Sequence, residues 1–165
     1  MKIFCLFIPV FFLSFAGEFI PQKIADNQFS NMAAKPIPES ANIKVVKVTL
    51  LAREEKTPPM GEPLNPHRDI GFASVFIRLT NLQASDAKIT IKNIKIVNSF
   101  SGKLQEFNFS PQKIILHPLE NSEQVFHLKN KTGYSTTAPM QAIVTYQIGN
   151  LISESKSAVT EVMRP

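Results

Sequence analysis

From residue 42 onward, apolar and polar side chains alternate with a period of two, and no window carries the 3.6-residue period of an amphipathic helix. The clearest stretch is Phe72–Val97. Ala73, Val75, Ile77 and Leu79 fall on one side of its first run, with Ser74, Arg78 and Thr80 on the other beside Phe72 and Phe76. The polar turn Gln83–Asp86 separates this run from Ala87–Asn98, so the pattern predicts two central strands, Phe72–Asn81 and Ala87–Asn98. In the second strand, Ile89 and Ile91 share odd parity while Ile94 and Ile96 share even parity. Either a β-bulge near Lys92-Asn93 brings the isoleucines to one face, or the strand passes from one sheet to another.

The same pattern predicts a first strand over Asn42–Arg53, with Val46, Val48, Leu50 and Ala52 on one face. Short strands follow at Leu104–Phe109, with Phe107 and Phe109 on one face, and at Lys113–His117. Gln124–Lys129 places Phe126 and Leu128 inward, and Met140–Ile148 aligns Ala142, Val144, Tyr146 and Ile148. Gly149-Asn150 is the signal for a type II′ hairpin into a last strand, Leu151–Val162. The polar middle of that strand, Ser153–Ser157, suits an edge exposed to water. The expected architecture is all-β: a Greek-key antiparallel β-sandwich, immunoglobulin-like, of about seven to nine strands with frequent turn signals.

Two loops interrupt this economy. Glu54–Asp69 contains Pro58, Pro59, Pro63 and Pro66, which cannot donate to a sheet ladder. A loop so long is either a solvated excursion or a binding loop, in which case it presents Met60, Leu64 and His67. Asn130–Pro139, which carries Gly133 and Tyr134, is the second candidate contact.

The N-terminal segment reads differently. Lys2 gives a minimal positive start, Ile3–Leu13 is apolar, and Ser14-Phe15-Ala16 offers small residues around a cut after Ala16. This is the pattern of a signal peptide, residues 1–16, too short for the ~20 residues of a membrane span; an uncleaved anchor is the alternative. Residues 17–40, with Pro21, Pro36 and Pro38, read as a flexible tether, and 41–165 as the domain. The expected location is exported: periplasmic, extracellular or lumenal. The only cysteine, Cys5, lies inside the leader, so the mature chain has no thiol, and no lipid-accepting cysteine stands at the cut.

Composition narrows the function classes. The net charge is +5, but there is no Trp and the lysines are scattered, which argues against a nucleic-acid partner. Lys88, Lys92 and Lys95, with Lys44 and Lys47, read either as solvated guards of a β surface or as a weak contact with an anionic membrane surface or an acidic polymer. His117 and His127 flank one bend with Glu120 and Glu123, but a metal site needs three or four ligands in fixed geometry, and none is assigned. The aspartates are Asp26, Asp69 and Asp86, in the tether, a loop and a turn; no G-x-S-x-G, H-E-x-x-H or P-loop is present. No catalytic residue and no cofactor is expected. Asn108 and Asn130 head N-glycosylation sequons, which matter only in a eukaryotic secretory pathway.

The segment ILHPLENSEQVFHL, Ile115–Leu128, resembles a pattern of immunoglobulin-like and fibronectin-like domains of exported bacterial proteins. There an L-x-P-x-E bend separates a short strand from an inward-alternating one. HLKNKTGY and AIVTYQIGN also resemble segments of small exported cyanobacterial proteins. The resemblance implies architecture only, and the Cys…Trp…Cys core of true immunoglobulin domains is absent. The functional expectation is a non-enzymatic exported module that binds an unknown protein or envelope component through Met60, Leu64, His67 and Tyr134. The alternative is a structural or chaperone-like subunit of the cell envelope, and the last a metal-dependent hydrolase using His117 and His127.

Overall fold

The computed structural model describes residues 42–165 apart from positions 59, 62, 64 and 66. The expected leader and tether, with Leu64, lie outside the described residues. The described chain is all-β, with β1 (Ile43–Glu54), β2 (Gly71–Asn81), β3 (Ala87–Asn98), β4 (Gln112–Leu116), β5 (Asn121–Asn130), β6 (Met140–Ile148), β7 (Leu151–Lys156) and β8 (Val162–Met163). Two four-stranded sheets form, in the orders β5-β2-β1-β8 (sheet 1) and β4-β3-β6-β7 (sheet 2). All pairings are antiparallel except β1 with β8, which is parallel.

The core is built by the alternation read from the sequence. Ala73, Val75, Ile77 and Leu79 of β2 are buried against Ile89, Ile91, Ile94 and Ile96 of β3 and Ala142 and Val144 of β6 in one cluster. The four isoleucines share that core because the register shifts between Ile91 and Asn93, so the bulge reading of Lys92 holds and β3 stays in one sheet. The hairpin at Gly149 also holds: Gly149 sits at φ +56 between the paired Ile148 and Leu151, a backbone that glycine adopts without strain.

Three expectations are corrected. First, β1 carries its own bulge, between Val45 and Lys47, so Val46 is half exposed at 46% while Ile43 and Val45 turn toward the core. A regular period-two reading places Val46 with Val48; the extra residue reverses the parity upstream of it. Second, Leu104–Phe109 is not a strand. It makes an isolated bridge, Leu104 to Val97, and continues irregularly, though Phe107 and Phe109 still pack on the core. Pro111 and the inward turn of Gln105, which spends its side chain on loop hydrogen bonds, leave no ladder to extend. Third, the last strand ends at Lys156. Ser157 is buried, with its hydroxyl accepting from the Ala142 N–H, and the chain then crosses to sheet 1 as β8.

Candidate functional site

The strand directions collect four segments at one end of the sandwich. These are the 55–70 connection after β1, the 99–109 segment after β3, the 130–139 loop after β5 and the C-terminal residues after β8. Glu54 lies at their centre. The even parity that buries Val48, Leu50 and Ala52 continues into it, leaving the residue only 2% exposed. Its Oε1 accepts the backbone N–H of Tyr134 at 2.8 Å, and its Oε2 accepts from Arg164 Nε at 2.8 Å, with Lys56 Nζ at 3.5 Å. Burial pushes this carboxyl up, but the Tyr134 N–H, Arg164 and Lys56 outweigh burial and hold it below its ordinary value.

The rest of the base is hydrogen-bonded to match. The Asn130 side chain donates to Gly133 O and accepts from Gly133 N–H, closing a tight turn. Gly133 sits at φ +69, and a Cβ there would collide with the Glu54 carboxylate, so both conformation and space demand glycine. The Tyr134 hydroxyl donates to Phe72 O at 2.8 Å, and its ring stacks at a tilt on Phe107, with centroids 5.3 Å apart. Burial, then the Glu54 charge, push its phenol up beyond its ordinary range. Gln105 Oε1 accepts from Ser135 N–H, and Arg164 Nη2 donates to Thr136 O. Ile70 N–H donates to Asn130 O, and Lys129 pairs with Asp69 at 2.8 Å.

On this frame lies a polar groove in two parts. A recess of about 130 Å³ is lined by Lys103, Leu104, Gln105, Glu106, Thr132, Gly133 and Ser135. A wider, open one of about 460 Å³ continues past Glu106 and Thr132 to Asn108, Lys131, Lys129 and Asp69. It carries both signs of charge and many amide and hydroxyl groups. The geometry suits contact with a polar surface, not an apolar ligand.

Of the residues singled out in the sequence, Met60 is fully exposed, and His67 is exposed with its N–H held by Asn65 Oδ1. Tyr134 is only 4% exposed, so it is not presented to a partner as expected; it anchors the loop from beneath. Asn130 is likewise buried and spends its amide on Gly133, so of the two sequons only Asn108 is displayed. His117 and His127 do not meet. The His127 ring bonds Ser74 near the loop-rich end, whereas His117 faces Asp86 and its carbonyl accepts from Asn81. Ser74 and Asn81 are seven residues apart on β2, which separates the two histidines by roughly 20 Å. Among the described residues no three His, Cys, Asp or Glu side chains converge as metal ligands would. Lys44 and Lys47 stand on β1 in sheet 1, so they do not neighbour Lys88, Lys92 and Lys95 on β3 in sheet 2.

The base residues Glu54 and Arg164 were not picked out from the pattern, and Asn130 was picked out only as a sequon and a loop start. Only Glu54 leaves a signal there, as a charge at an inward parity position. No family model matches the chain, and no curated protein matches it.

Proposed function

We propose that this chain is an exported, non-enzymatic binding module whose contact surface is the loop-rich end of the sandwich. The observation that carries the reading is the contrast within that end. Glu54, Asn130, Tyr134 and Arg164 lock the bases of the loops from within, while Met60, His67 and the polar groove stand exposed above them. Display loops on a rigid β scaffold are a common way to build a recognition surface. We read the sandwich as an immunoglobulin-like Greek key. The support is the strand order, in which β2 to β3 and β5 to β6 pass between sheets while β6 and β7 form a hairpin.

Export rests on the leader pattern, and recovery of a mature chain beginning at Gly17 would support it. A structural role in an envelope assembly is the second reading. It is favoured by the ten-residue strand β5, which among the described residues pairs only with β2 and leaves its other edge open to strand addition. A photocrosslinking residue at Met60, compared with one at exposed Leu119 at the opposite end, separates these readings. Specific adducts from Met60 and none from Leu119 are expected. Equal labelling from both positions, or from neither, would overturn the loop-end assignment.

A further inference from the structure

The outer faces of the two sheets differ in how their cations are compensated. On sheet 1, Arg78 pairs with Glu123, Arg53 with Glu55 and Lys129 with Asp69, while Lys44 and Lys47 of β1 take part in no ion pair among the described residues. On sheet 2, Lys88, Lys92 and Lys95 of β3, Lys113 of β4 and Lys156 of β7 all stand exposed on the outer side. Among the described residues none of these five takes part in an ion pair. Among the described residues the one acid on the strands of this sheet, Glu154, accepts from the Thr145 hydroxyl across the β6–β7 ladder.

The register sets the shape of this patch. Lys88 lies opposite Ile115, Thr90 lies between Lys113 and Gln147, and Lys95 lies in line with Ile143 and Lys156. Four strands at ~4.8 Å spacing make it about 14 Å wide, and Lys88 to Lys95 spans roughly 20 Å along β3. The bulge at Lys92 is what keeps the lysines together: it adds an outward residue while the isoleucines remain inward. Large apolar side chains lie among these cations. Ile115 is 52% exposed, Ile152 60%, and Leu104, paired with Val97 at the top of β3, 55%.

We propose that the outer face of sheet 2 docks on an anionic lipid bilayer. Uncompensated positive charge calls for a negative partner, and a broad sheet face matches an extended planar surface. The apolar side chains among the lysines decide between negative partners. A soluble acidic polymer leaves Ile115, Ile152 and Leu104 in water, whereas a bilayer interface receives them at the boundary of headgroups and acyl chains. Docking this way takes in Leu104 at the rim of the loop-rich end and leaves the exposed Met60 and His67, which follow β1 of sheet 1, for a separate partner. The inference stands on sheet 2 alone and does not depend on the reading of the loops.

The test is sedimentation of the full chain with vesicles of phosphatidylcholine, with and without phosphatidylglycerol. Binding is expected to the anionic vesicles alone and to fall with added salt. Each lysine near such a surface strengthens binding about fivefold, so Lys88→Gln with Lys95→Gln should weaken it roughly twenty-five-fold. Lys88→Glu with Lys95→Glu should abolish it, while Lys44→Glu with Lys47→Glu, equal in net charge but on sheet 1, should change it less than twofold. The Gln pair keeps the test valid if charge reversal impairs folding. Equal losses from the two faces would reduce the effect to net charge and overturn the proposal. So would no binding, undiminished binding to neutral vesicles, or equal competition by soluble polyglutamate, which would name an acidic polymer instead.

Discussion

At the scale of single residues, the charge that matters most to the fold is one that water hardly reaches. Glu54 is buried at the end of a hydrophobic strand, where an unpaired carboxylate would be costly, and it is tolerated because Tyr134 N–H and Arg164 occupy its oxygens. Its carboxyl is held below the ordinary value of 4.5, so it binds a proton less readily folded than unfolded. The stability it contributes is therefore complete above that ordinary value and is lost as pH falls through the folded one. Glu54→Gln keeps the shape but removes the charge, and should cost about 1–3 kcal/mol at neutral pH. It should also flatten the acid limb of thermal stability, as denaturation scans across pH would record. A limb of unchanged slope would place the acid sensitivity elsewhere. Glu54 was half legible: its parity pointed inward, but its partner Arg164 lies 110 positions away in sequence, and no local pattern records a contact of that range.

At the scale of elements, the strands were legible wherever one face is buried and the other wet, because that asymmetry writes a period of two into the side chains. The bulge of β3 was legible for the same reason, since the isoleucines change parity across Lys92-Asn93. The bulge of β1 was hidden, because Val45 and Val46 are both valine and either parity looks apolar. Both bulges have the same consequence for deletions. Removing Lys92 makes Ile91 and Asn93 neighbours opposite Tyr146 and Thr145, a regular ladder in which all four isoleucines stay inward. Removing Val46 likewise joins Val45 to Lys47 opposite Leu79 and Arg78, and Ile43 and Val45 keep their side of the strand. Each deletion should therefore retain a single cooperative unfolding transition by circular dichroism. Loss of that transition on removing Lys92 would mean that the bulge does more for β3 than set its parity.

At the scale of the whole molecule, the two sheets are joined by a chain that starts its last strand in one and finishes it in the other. That crossing was not legible, because Ser157–Glu161 carries no period and β8 is only two residues long. The gathering of loops at one end was equally hidden, since it follows from strand direction and sheet order and not from any motif. Yet the crossing closes the structure: Val162 packs in the core beside β1, and Arg164 reaches both Glu54 and Thr136 O. Removing residues 162–165 should thus do more than fray an end. It strips the nearest cation from a buried carboxylate, leaving the Tyr134 N–H and the exposed Lys56, and should cost about 3–5 kcal/mol. With that cation gone, the Glu54 carboxyl should rise back toward its ordinary value, so the acid limb of stability should be flatter in the shortened protein than in the full chain. Glu54→Gln should accordingly cost less in the shortened chain than in the full one, a coupling that thermal unfolding of the double-mutant cycle reads directly. If Glu54→Gln costs the same in both, Arg164 does not hold the charge, and β8 closes the sandwich by strand pairing and the packing of Val162 alone.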